Sequence, residues 1–125
     1  MLFDTDVLIS FQRGHAQAAE WIDASPLRLI SAQTYMELLQ GAQSKAQHKM
    51  IRDFLKDFEF ECLPITHNIS HRATIYVEEY ALSHGMRAGD ALIAATAMEY
   101  GHTLLSGNIK HFRCIPNLTL KIFKV

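Results

Sequence analysis

Apolar and polar positions along this chain fall into short apolar runs separated by longer helical patterns. Met1–Phe3 reads as a strand stopped at Asp4, and Val7 to Phe11 as a first helix ending near Gly14. His15 to Ala24 places Ala18, Ala19 and Ile22 at helical spacing, and Ser25-Pro26 stops it. A strand over Leu27–Ser31 leads into a helix over Ala32 to Gln43, where Tyr35, Leu38, Leu39 and Ala42 form the apolar stripe. By the same count a helix from Lys45 to Phe58 buries Met50, Ile51, Phe54, Leu55 and Phe58. Phe60–Pro64 is the third strand, and Asn68 to His84 the longest helix, closed by Gly85. Gly89–Gly101 (GDALIAATAMEYG) is apolar nearly all round, so it is expected to be buried on most sides. His102–Ser106 and Leu118–Phe123 complete the strands.

Strands spaced by helices in this way predict an α/β domain, a parallel sheet with helices on both faces. At 125 residues the chain suits one domain spanning 1–125. In such sheets ligands bind outside the carboxyl ends of the strands, and this rule singles out the residues to weigh.

Four polar stretches meet that condition. Asp4 ends the first strand; it can cap the following helix, but so can Asp6, so one of the pair is free for chemistry. Glu37 lies about 200° around its helix from Tyr35, on a polar side shared with Gln33, Gln40 and Gly41. Asp90 stands at the head of the apolar helix, behind Gly89, which permits an unusual backbone and close approach. Ser106 and Asn108 follow the fourth strand. Carboxylates converging on one sheet edge repel each other unless a cation neutralises them. Ligation by oxygen alone suits Mg²⁺ or Mn²⁺ rather than zinc, and such an ion serves phosphodiester hydrolysis.

The rest of the composition narrows the picture. Twelve basic against 13 acidic side chains give a formal charge of −1, so the bulk offers no polyanion-binding surface. Arg13, Lys45, Lys49, Arg87 and Lys110 are candidates for local phosphate contacts. Cys62 and Cys114 sit beside apolar residues in no metal-binding spacing and read as buried free thiols. His67 and His71, at i and i+4, lack an evident third ligand for a transition metal. Trp21, Tyr35, Tyr76 and Tyr80 read as packing residues. With no membrane-length apolar run and no signal-peptide pattern, the expected location is the cytoplasm.

At these residues the chain resembles the PIN-domain ribonucleases, most closely the VapC toxins of bacterial toxin–antitoxin pairs. The likeness is carried in order by DTDVLI (Asp4–Ile9), MELLQGA (Met36–Ala42), GDALIAATA (Gly89–Ala97) and LLSGNIKHF (Leu104–Phe112). The resemblance implies a three-layer α/β/α fold and an acidic metal site of Asp4, Glu37 and Asp90. It makes Asn108 a further catalytic position, with Asp6 and Ser106 supporting. His111 stands where many members carry Asp, which implies a weaker second ion. Also implied are Mg²⁺ or Mn²⁺ as cofactor, hydrolysis of tRNA or rRNA loops, a homodimer and a VapB-type antitoxin partner. The Asp4/Asp6 pair also fits the first motif of haloacid-dehalogenase-type phosphatases. Ala94, where that class wants a second Asp four residues after Gly89-Asp90, argues against it. A catalytically silent PIN-like binding module is the remaining alternative.

Overall fold

A computed structural model describes residues 1–125. Along the chain run β1 (Leu2–Phe3), α1 (Thr5–Gln12), α2 (Ala16–Ala24), β2 (Arg28–Ser31), α3 (Ala32–Gly41) and α4 (Lys45–Asp57). β3 (Phe60–Leu63), α5 (His67–His84), α6 (Ala88–Tyr100), β4 (Leu104–Ser106), α7 (Ile109–Phe112) and β5 (Leu120–Ile122) follow. The five strands form one sheet in the order β3-β2-β1-β4-β5, and every pairing is parallel. This is the expected α/β/α architecture with a central parallel sheet.

Alternation along the strands sorts the core onto two faces. Leu2, Leu29, Leu63 and Leu104 face one way, against Ile69, Ala73 and Tyr76 of α5 and the alanines of α6. Their neighbours Phe3, Ile30 and Leu105 face the other way, against Val7 and Leu8 of α1, Ile22 of α2, Leu38 of α3 and Leu55 of α4. α6 buries Ala91, Ile93, Ala94, Ala95, Thr96 and Ala97, as expected of a helix without a polar face. Tyr76 is buried, and Trp21, Tyr35 and Tyr80 pack against the two cores.

Three expectations fail at the periphery. Met50 is 69% exposed, because α4 is an outer helix that seats only Ile51 and Leu55 fully. Cys62 is exposed on β3, an edge strand, and Cys114 is half-buried; burial raises both thiols above the usual range. Gly89 has no left-handed backbone. The close approach also expected of it does hold, since a β-carbon there would stand 3.0 Å from Glu37 Oε2.

The strand order places the functional edge. The chain moves outward from β1 through β2 to β3, then crosses back to lay β4 on the other side of β1. Between β1 and β4 the helices leaving the two strand ends diverge, and the crevice there is where ligands of open α/β sheets bind.

Candidate active site

Asp4 leaves β1 at this switch point and is the N-cap of α1, its Oδ1 accepting the Thr5 N–H at 2.8 Å. Of the two carboxylates able to cap, Asp4 does so, and it has a second oxygen to spare. That oxygen, Oδ2, accepts the Ser106 hydroxyl from the end of β4 at 2.6 Å. Ser106 in turn accepts the Asn108 N–H at 2.9 Å. Asp6, one turn into the positive end of α1, accepts the Gly107 N–H at 2.8 Å. Its other oxygen is buried and has no hydrogen-bond partner. Gly107 is required here, since a β-carbon would lie 2.9 Å from Asp6 Oδ2 and 3.1 Å from the Phe123 carbonyl oxygen.

Glu37 reaches the same edge from α3, which Ser31 caps at the end of β2. The Thr5 hydroxyl donates to Glu37 Oε1 at 2.5 Å and is 3.0 Å from the Thr34 hydroxyl, which is buried beside Ser31. Glu37 is therefore not a solvated helix glutamate, because a chain of hydroxyls fixes it. A β-carbon at Gly89 would stand 3.0 Å from Glu37 Oε2, so the glycine is what lets α6 approach the carboxylate. Asp90, in the first turn of α6, is 2.9 Å through Oδ2 from His111 Nδ1.

Asp4, Asp6, Glu37 and Asp90 line one open cleft of about 430 Å³ with Thr5, Ile9, Gln40 and Asn108. No Lys or Arg is among the lining residues. Ser106 lies beneath the floor, acting through Asp4 and Asn108. Arg13, Lys45, Lys49, Arg87 and Lys110 are exposed away from the lining, and Lys49 is paired with Asp53 at 2.6 Å. Burial, and then the charge of Asp6, push the Asp4 carboxyl up to about 7; the Ser106 and Thr5 hydrogen bonds oppose this. Asp6 is also raised, mainly by burial, against the pull of the Gly107 N–H. Anionic groups held together out of water resist ionisation in this way, and a bound cation reverses the effect.

The donor chemistry fits a hard divalent ion: four carboxylates, no Lys or Arg among the lining residues, and one buried oxygen without a partner. The carboxylates border the cleft without closing on a point, and no three His, Cys, Asp or Glu side chains stand close enough together to hold an ion. Thr5 was not anticipated among the functional residues. Its signal was its place inside Asp4-Thr5-Asp6, where a hydroxyl at the first helical position can reach a neighbouring helix.

This topology defines a parallel α/β domain with a cluster of carboxylates at its switch point. The chain belongs to the PIN-domain family, whose model matches residues 1–115. It is 34% identical over 123 residues to ribonuclease VapC10 of Mycobacterium tuberculosis, covering 94% of this chain and 90% of that protein. Ribonuclease VapC1 of Rickettsia felis is 29% identical over 125 residues, covering 94% of this chain and 92% of that protein. Among solved structures, a toxin–antitoxin complex from Klebsiella pneumoniae superposes with a TM-score of 0.83 at 29% identity, covering 99% of this chain and 98% of that one. Membership of this family leaves the phosphatase reading of Asp4/Asp6 without support.

Proposed function

We propose that this chain, acting as one unit over residues 1–125, is a divalent-metal-dependent endoribonuclease and the toxin of a toxin–antitoxin pair. The observation that carries the metal-nuclease reading is the cleft itself. Four carboxylates with no Lys or Arg among the lining residues, and with only the His111 ring against one of them, repel any polyanion, so RNA approaches only when cations neutralise them. Asp4, Glu37 and Asp90 would hold Mg²⁺ or Mn²⁺, with Asp6 and Asn108 beside them. When bound, the ion supplies charge neutralisation and an acidified water for attack on phosphorus.

The protein's own residues do the rest. Ser106 and the Thr5 N–H fix both oxygens of Asp4, so its carboxylate enters the reaction already oriented. Thr5 aims Glu37 by taking up Oε1, leaving Oε2 for the ion or for the attacking water. Asp6 ties the loop after β4 to α1 through Gly107 and keeps Asn108 at the rim. The cleft is shallow and open, which suits single-stranded loops such as those of tRNA and rRNA, where backbone and bases are splayed out. Arg13, Lys45, Arg87 and Lys110, free of ion pairs, are the candidates for gripping phosphates outside the cleft. The relatives are named as VapC ribonucleases, and one solved neighbour is a toxin–antitoxin complex. Both support a VapB-type antitoxin as partner, and we take the toxin to be a cytoplasmic homodimer as the sequence resemblance implies.

The test is cleavage of end-labelled tRNA and rRNA by the purified chain with Mg²⁺, with Mn²⁺ and with chelator. Cleavage that needs the ion and is lost in Asp4→Asn and Asp90→Asn is the expected result. Cleavage that survives chelation sinks the metal reading; equal cleavage by both variants sinks the site.

A further inference from the structure

His111 faces Asp90 in an arrangement with two mutually exclusive hydrogen-bond patterns. Its Nδ1 lies 2.9 Å from Asp90 Oδ2 and 3.0 Å from Asn108 Nδ2. A carboxylate oxygen accepts and an amide nitrogen donates, whereas a ring nitrogen carries either a hydrogen or a lone pair. With hydrogen on Nδ1, the ring donates to Asp90 and Asn108 is left without its acceptor. With a lone pair on Nδ1, Asn108 donates to the ring, and Asp90 Oδ2 faces another acceptor and must find a different partner. Side-chain exposures of 24% for His111 and 21% for Asp90 mean that water only partly relieves whichever group is left over.

We propose that His111 is a positioning residue that exchanges partners: it holds Asp90 through Nδ1–H in the empty cleft and turns to Asn108 through its Nδ1 lone pair when Asp90 takes a divalent cation. The inference rests on the reading of Asp90 as a cation ligand. A cation at Asp90 is itself the different partner that the second pattern demands, and its charge disfavours a hydrogen pointed toward it. The hydrogen then resides on Nε2, on the far side of the ring beside Gly85, where a β-carbon would stand 3.8 Å away. The exchange gives Asn108 two linked tasks, since its backbone N–H already reads Ser106 and its side chain then reads the ring. Asp4 through Ser106, and Asp90 through His111, are thereby joined at one residue on the rim.

The measurement is long-range ¹H–¹⁵N correlation spectroscopy of the ¹⁵N-labelled wild-type chain during titration with Mg²⁺, beside calorimetric titration of the same sample. The His111 ring nitrogens report which of them bears hydrogen. The expected result is hydrogen on Nδ1 without the ion and a lone pair on Nδ1 at saturation, with the shift following the calorimetric isotherm. In Asp90→Asn, Mg²⁺ should leave the ring signals where they stand. If Mg²⁺ binds and the ring nitrogens of the wild type do not respond, the exchange is overturned while the metal site survives. If no Mg²⁺ binds, both readings fall together.

Discussion

The two ends of the sheet carry opposite chemistry. At the carboxyl end of the strands lies the cleft of about 430 Å³, lined by four acids and no Lys or Arg. At the amino end lies a larger hollow of about 540 Å³, bordered by Met1, Trp21, His102 and Lys121, with no acid. Volume alone would choose the second. The difference follows from the direction of the helices, because in a parallel α/β fold helix N-termini gather at one edge and helix C-termini at the other. Free N–H groups and the positive dipole end accommodate Asp4 and Asp6 on α1 and Asp90 on α6. Carbonyls left over at the opposite edge call for donors. Arg28 supplies them, giving Nε to the Ile22 and Ser25 carbonyls at the end of α2 and Nη1 to the Phe58 carbonyl after α4. Acids gather at one edge, while Arg28 stops helices at the other.

The contrast breaks most sharply if the wrong end proves active. Asp4→Asn and Asp90→Asn should each lower the RNA cleavage rate by roughly 100-fold or more. Lys121→Ala and His102→Ala, at the opposite hollow, should stay within about twofold, as surface changes remote from a site usually do. Comparable losses at both ends would dissolve the distinction.

The next effect is on stability. Mg²⁺ at 100 times its dissociation constant should add about 2.7 kcal/mol, on the order of 10 °C in Tm for a domain of this size. Scanning calorimetry should show no such gain in Asp90→Asn.

A pH series on the ion-free protein sharpens the same point. Asp4 titrates at about 7 when folded against 3.8 in a free chain, so the folded state holds the extra proton between those values. Stability should therefore fall as pH rises from about 4 to about 7. Denaturant unfolding of Asp4→Asn should lose most of that slope, and saturating Mg²⁺ should flatten it in the wild type.

At the opposite edge, Arg28→Ala should cost about 2 kcal/mol by stranding carbonyls while leaving Mg²⁺ affinity unchanged. Smallest of all, Lys45→Ala or Lys110→Ala should weaken RNA binding about twofold to threefold and reduce its salt dependence.

Much of this was legible from residue order. Apolar runs and helical stripes give every strand, and every helix but the one-turn α7, to within a few residues, because alternation and amphipathicity follow from burial on a sheet with two covered faces. Asp4 and Asn108 stand out by their position after strands, Glu37 by the polar side of the helix that follows β2, and Asp90 by heading the apolar helix; all four border one cleft. What could not be read depends on the third dimension. Asp6 and Asp4 divide capping and bridging according to where Gly107 passes. Glu37 is fixed by Thr5, 32 positions away in sequence. Met50 and Cys62 look like core residues by pattern, yet an outer helix and an edge strand leave them in water.

The hydrogen bond from Ser106 to Asp4 spans 102 positions of sequence. During synthesis from the N-terminus, Asp4 leaves the ribosome 102 residues before its partner. At roughly 5–20 residues per second, the growing chain spends several seconds or more with half a site. Helices and the β1-β2-β3 half of the sheet can form in that interval, but the switch-point crevice cannot, since β4 is one of its walls. For the ribonuclease proposed above, an assembly order of this kind delays activity until β4 has emerged and closed the crevice.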